Sequence, residues 1–124
     1  MSLNEPCKAG IPAIELGHEA PGRARPAHHV GAAGAILGLA CFLPELCSDL
    51  YTAWRAGDSS GAKDIHLSVL TASRKIVAEL GPAGVKYAMD RVGYFGGPPR
   101  PPLLPLAEAQ KQTVDSALGP LLPA

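Results

Sequence analysis

Histidine and cysteine are the residue types in this 124-residue chain that zinc most often uses as ligands. His18, His28 and His29 share the first thirty residues with Cys7, but their spacing matches no zinc-binding pattern. A flexible segment that happens to contain histidines explains them better. The chain also has no Ser-His-Asp set, phosphate-binding loop or paired carboxylates. The residues alone therefore predict no metal site and no catalytic residue.

The three cysteines indicate whether the protein resides in an oxidising or a reducing compartment of the cell. Cys7, Cys41 and Cys47 are odd in number and irregularly spaced, which argues against a disulfide framework and for reduced thiols in the cytoplasm. The default role for Cys41 and Cys47 is that of buried structural thiols.

Charge and length exclude several classes of protein. Eleven basic residues balance eleven acidic ones, so nothing predicts binding to nucleic acid or to an anionic membrane. The length suffices for one domain with a hydrophobic core. Residues 1–30 show no periodicity and are interrupted by prolines, so we expect a disordered segment there.

The run Val30–Leu43 is apolar throughout and too short to span a bilayer as a helix. With three glycines it favours a buried strand of a parallel sheet. Arg23 and Arg25 ahead of it allow an alternative, the apolar region of a signal peptide in an exported small protein.

Four helices are predicted after this strand. The first begins at Pro44 and ends at Gly57, with Asp58 or Ser59 capping the second. The second ends at Gly81, and Pro82 opens a third that closes at Gly93. The fourth covers residues 106–118, with Val114, Ala117 and Leu118 as its apolar face.

Residues 96–106, which we call the strap, contain five prolines and three leucines. Proline excludes a helix, while a solvated linker has little need for leucine. The pattern predicts an extended segment that lies on apolar surface and connects the last helix to the body.

Several segments together resemble one known family. They are Gly31-Ala-Ala-Gly-Ala-Ile36, Pro44-Glu-Leu46, Gly81-Pro-Ala-Gly-Val-Lys-Tyr-Ala88 and the strap. Their order and spacing resemble the C-terminal end of the dihydrodipicolinate synthase / N-acetylneuraminate lyase family. The resemblance covers residues 31–124.

The resemblance implies a fold class. Family members are (β/α)8 barrels with extra C-terminal helices, and such barrels need roughly 250 residues. We therefore expect a mainly α structure with one β-strand, the C-terminal remnant of such a barrel with its appended helices. The strand would lack both of its neighbours, so we expect self-association through its open edges.

The resemblance also implies a chemistry. Family members are aldolases that bind pyruvate or another 2-oxo acid as a Schiff base on a lysine, without cofactor or metal. The segments that carry this lysine and a proton-relay tyrosine have no counterpart here. Lys75 and Lys86 are the most tempting candidates among the lysines of this chain, but both fall on predicted helices, where solvated lysines are usual.

Only a weak contribution to the substrate pocket remains. Leu37, Gly38 and Cys41 follow the last barrel strand, at the face where barrel sites form. Family members tend to have a small polar residue at position 37 and asparagine at position 41, so both departures remove polarity. We expect an inactive fragment of a lyase, arising from a truncated gene, a shifted frame or a misplaced exon boundary. The alternatives are a non-catalytic helical module that associates with a full-length relative, and the exported protein.

Overall fold

The computed structural model describes residues 13–14, 34–35 and 37–123, and most of these residues are helical. Helix α1 spans Pro44–Arg55, with proline in the first turn, where its missing N–H costs no hydrogen bond. The chain leaves α1 through Gly57 at a φ of 76°. The carboxylate of Asp58 then accepts a hydrogen bond from the Gly61 N–H at 2.9 Å. The predicted glycine stop and aspartate cap are both confirmed.

A nearly continuous helical path follows. Helix α2 spans Ser59–Ala72 and runs into a π-helical segment, Ser73–Ala78, which leads into helix α3, Glu79–Arg91. Gly81 adopts φ 59° and ψ −147°, which kinks α3 just before Pro82. The predicted break at Gly81 is therefore confirmed, but the π-helical segment was not foreseen.

Helix α4 spans Glu108–Leu118, two residues shorter at its start than predicted, and a 3₁₀ turn at Gly119–Leu121 follows it. At its N-terminus the Ala107 N–H donates to Oε1 of Gln110 at 2.8 Å, which satisfies a backbone group that the helix leaves free. The predicted apolar face is confirmed, since Val114, Ala117 and Leu118 are all buried.

The β-structure differs from the prediction. Strand β1, Ala13–Ile14, pairs in parallel with strand β2, Gly34–Ala35, with Ala13 opposite Gly34. The expectation that the strand lacks both neighbours is therefore wrong. Strand β1 also lies inside the segment predicted to be disordered; the rest of that segment falls outside the described residues.

The predicted extent of the strand, Val30–Leu43, is wrong in its second half. Gly38–Cys41 forms a 3₁₀ turn, and Leu39, Phe42 and Leu43 are all buried. Their spacing of i, i+3 and i+4 places them on one side of a helical turn. A continuous apolar run hides this spacing, because every position looks alike.

The core lies where the 3₁₀ turn meets the helices. Leu39, Phe42, Ile76, Val114 and Leu118 are each at least 98% buried. They come from the turn, the π-helical segment and α4, so segments far apart in sequence share one core. The mainly helical prediction is confirmed. The described part of the chain forms no barrel.

Candidate functional site

The three residues proposed as a pocket wall lie immediately after β2 but face different surroundings. Leu37 is half-buried and packs against the helical core. A Cβ on Gly38 would lie 3.1 Å from Cγ1 of Val77, so this glycine is pressed against the π-helical segment. Cys41 is exposed, with a free thiol, so the prediction that it is a buried structural thiol is wrong. Of the three, only Cys41 is exposed to solvent in the described structure.

Cys47 lies on α1 and is half-buried. Burial raises the pKa of its thiol, because desolvation disfavours the thiolate. A thiol in this state is a poor nucleophile at neutral pH, as its predicted structural role requires.

Lys86 is partly buried and its ammonium group is engaged by the backbone. Its Nζ donates to the carbonyl oxygen of Gly96 at 2.9 Å. The backbone N–H of Gly96 in turn donates to Oδ1 of Asp90 at 2.8 Å. Lys86 and Asp90, one turn apart on α3, thus hold both polar groups of Gly96, an arrangement that we call the Gly96 clamp.

Lys75 has a different surrounding. Its Nζ donates to Oε1 of Glu79 at 2.9 Å, and both side chains are about half exposed. A Schiff-base lysine needs a dry environment that releases its proton near neutral pH. An exposed, paired ammonium group lacks that environment.

A second polar cluster joins α3 to α4. Asp115 accepts from Nε of Arg91 at 2.7 Å and, more weakly, from the Tyr87 hydroxyl at 3.5 Å. Because Arg91 and Asp115 are well exposed, the pair contributes less than about 1 kcal/mol. The cluster holds α3 and α4 in register, and its three side chains are bonded to one another rather than available for a reaction.

Two buried polar atoms lack a partner. The Ser73 hydroxyl, at the start of the π-helical segment, and Nδ1 of His66 on α2 have no hydrogen bond within the described part of the chain. They stand seven residues apart on one helical path, too far to act on one substrate atom. The sequence analysis identified neither Ser73 and His66 nor the Gly96 clamp, because no local pattern indicates which polar groups become buried or paired on folding.

Metal chemistry has no support among the described residues, where no three His, Cys, Asp or Glu side chains gather. Cys7, His18, His28 and His29, whose spacing predicts no metal site, lie outside the described residues. No helix within residues 37–123 is long and apolar enough to cross a membrane.

The match to a known protein family is extensive. The family model described as the dihydrodipicolinate synthetase family matches residues 19–120, twelve residues further towards the N-terminus than the motifs predicted. The chain belongs to this family. The predicted resemblance is confirmed, and the helices, the Gly96 clamp and the strap are therefore features of a family member.

Curated relatives agree with the family match. The chain is 37% identical over 92 residues to a 4-hydroxy-tetrahydrodipicolinate synthase of Methanopyrus kandleri, covering 74% of this chain and 31% of the relative. A protein with the same description from Methylobacterium radiotolerans is 39% identical over 88 residues, covering 71% and 29%. The chain spans about a third of the length of the curated relatives it matches.

Solved structures show the same proportion. The chain superimposes on a dihydrodipicolinate synthase of Bacillus anthracis with a TM-score of 0.71 and 28% identity, over 79% of this chain and 33% of that one. For the Proteus mirabilis N-acetylneuraminate lyase the TM-score is 0.60 at 29% identity, over 73% and 32%. The helical bundle is thus similar to one third of an enzyme fold.

Proposed function

We propose that these residues form the C-terminal part of an aldolase that makes or breaks a carbon–carbon bond of a 2-oxo acid such as pyruvate. One observation carries the proposal: the chain aligns with its relatives over most of its own length but about a third of theirs. In this role the chain supplies the last barrel strand and the helices that support it.

We further propose that the 124 residues alone do not catalyse this reaction. The ammonium groups of the two candidate lysines are already engaged: Lys75 donates to Glu79, and Lys86 donates to the Gly96 carbonyl oxygen. Catalytic groups act together in the transition state. When the nucleophile is missing, the remaining groups therefore give little rate acceleration. Leu37, Gly38 and Cys41 would then be one wall of a pocket, with Cys41 as the exposed member.

Borohydride trapping tests this proposal. The purified chain is incubated with pyruvate and borohydride and analysed by intact mass, with the Methanopyrus kandleri relative as positive control. We expect an adduct on the relative and none on this chain. A stoichiometric adduct on this chain that disappears in Lys75→Arg or Lys86→Arg would contradict the proposal.

A second function has support of its own. The helices share a core whose central side chains are at least 98% buried, so the bundle has the core of a helical module that folds independently. Such a module would bind a full-length relative without catalysing anything. Sedimentation of the chain mixed with the Methanopyrus kandleri relative tests this: co-sedimentation supports the module, and independent sedimentation contradicts it. The export alternative depends on Arg23 and Arg25, which lie outside the described residues.

A further inference from the structure

The strap is attached to the helices near its two ends. At its start the Gly96 clamp holds both backbone polar groups of Gly96, which is buried. At its end Leu106 packs against the core, just before α4. Among the described residues, the one hydrogen bond of residues 97–105 is internal: the Leu103 N–H donates to the Arg100 carbonyl at 3.0 Å. Within the described structure, the stretch between the two attachment points therefore has no hydrogen bond to a helix.

The backbone on either side of the clamp has well-defined geometry. Before the clamp, the Tyr94 N–H donates to the Met89 carbonyl at 2.9 Å and Gly93 has a φ of 91°, which is the usual way for a helix to end at a glycine. After the clamp, Gly97 also has a positive φ, 71°. Glycine changes its backbone angles at little cost because it has no Cβ. Gly97 is therefore the hinge about which the strap turns if the clamp opens.

Other forces on residues 97–105 are weak. Seven of these nine residues are exposed, so their release from the helices would uncover little apolar surface. Release would also give the chain little new conformational freedom, because proline fixes φ. The five prolines are Pro98, Pro99, Pro101, Pro102 and Pro105. With little burial to lose and little entropy to gain, the clamp decides whether the strap is held.

Both hydrogen bonds of the clamp have a charged partner, the Lys86 ammonium group or the Asp90 carboxylate. Such bonds are stronger than those between neutral groups, and each holds Gly96 in position for the other. We propose that the Gly96 clamp is a latch. When it opens, residues 97–105 move away about Gly97 while the helices stay folded, and the Lys86 ammonium group becomes free. The latch is independent of any catalytic role.

Amide hydrogen exchange of the full chain, followed by NMR, tests the latch. In the unaltered chain the Gly96 amide should exchange through a local opening, at a rate that depends weakly on low urea concentrations. The amide of Val114 in the α4 core should exchange more slowly and with a strong urea dependence. Lys86→Met keeps the apolar stem and removes the ammonium group, while the Asp90 carboxylate that accepts from the Gly96 N–H stays in place. The Gly96 amide should nevertheless exchange about tenfold faster in this variant, because the two bonds hold one unit.

Proteolysis gives a second measurement on a second variant. The Phe95 side chain is 85% exposed, but the peptide bond after it leads into buried Gly96. Chymotrypsin should therefore cleave the Phe95–Gly96 bond slowly in the unaltered chain and about tenfold faster in Asp90→Ala, since cleavage follows the population of the open form.

Lys75→Met is the matched control, because Lys75 lies on the same helical path in an exposed ion pair with Glu79. It should leave both the exchange rate of Gly96 and the cleavage rate unchanged. An unchanged Gly96 exchange rate in Lys86→Met would overturn the latch and leave two independent hydrogen bonds. Exchange of Gly96 that follows Val114 at every urea concentration would also overturn it, because the strap would then open only with the whole protein.

Discussion

Asp90 accepts a hydrogen bond from the backbone N–H of Gly96 at 2.8 Å, joining the last turn of α3 to the start of the strap. Lys86 completes the Gly96 clamp from one turn earlier. The strap is therefore anchored at its first residue through polar groups. Leu103 and Leu104 are exposed, while Leu106 packs against the core, so the prediction that the strap lies on apolar surface is confirmed at Leu106 and wrong at the other two leucines. These hydrogen bonds bring the Gly96 backbone close to the backbone of Lys86, so position 96 has no room for a side chain.

Replacing Gly96 with alanine should destabilise the protein. The added Cβ would overlap the Lys86 carbonyl oxygen, so the strap or the helix must move. We expect a loss of about 1–3 kcal/mol in the free energy of unfolding, measured by urea denaturation. Gly119→Ala is the control, since a Cβ there meets no atom of the described residues within 4 Å and Gly119 is helical. An unchanged urea midpoint in Gly96→Ala would show that the strap is not held as described.

Replacing Ser73 with alanine should leave the free energy of unfolding unchanged or raise it. Within the described part of the chain the hydroxyl is buried without a partner, so its removal relieves a desolvation cost of about 1–3 kcal/mol and leaves packing almost unchanged. Ser68→Ala is the control, because that exposed hydroxyl donates to the Ile65 carbonyl and should matter little. A loss above about 1 kcal/mol in Ser73→Ala would mean that the hydroxyl has a partner in solution.

Two phenylalanines provide a matched test of the core. Phe42 is 1% exposed and Phe95 is 85% exposed. We expect Phe42→Ala to cost about 3–5 kcal/mol and Phe95→Ala less than about 0.5 kcal/mol. Both values come from denaturation at a concentration where the chain is monomeric. Equal costs would contradict the packing of residues 38–43 into the helical bundle.

The two described cysteines should differ in reactivity. Cys41 is exposed, whereas burial raises the pKa of Cys47 above its ordinary value of 9.0. Iodoacetamide at a pH of about 8 should therefore label Cys41 first, as followed by peptide mass analysis. Faster labelling of Cys47 would contradict its burial.

The raised pKa of Cys47 also has a consequence for stability. Above pH 9.0 the unfolded chain loses the Cys47 thiol proton, while the folded chain still holds it. The contribution of this thiol to stability is therefore fully present below that pH and is lost as the pH rises towards the folded pKa. Cys47→Ser, with no comparable ionisation in this range, should show a smaller loss between neutral and alkaline pH. Identical pH dependence in the two proteins would contradict this account.

Local signals in the sequence were sufficient for the helices. Pro44, Asp58, Gly81 and Gly93 mark helix boundaries through backbone geometry and capping, which act over a few residues. The apolar face of α4 could likewise be read from spacing alone. Family membership was readable as well, because the order of short motifs survives when no single motif is decisive.

Tertiary structure decided the features that involve distant residues. The run predicted as one strand is divided, because Leu39 and Phe42 find buried space beside Ile76 and Leu118 that no local pattern reveals. The pairing of Ala13 with Gly34, the clamp on Gly96 and the burial of Ser73 also depend on segments brought together by folding. The sequence by itself determined the number of main helices, most of their boundaries and the family to which the chain belongs, but not the π-helical segment between α2 and α3. Only the tertiary structure decided which apolar and polar groups are buried, because burial depends on what packs against a residue rather than on its neighbours in the chain.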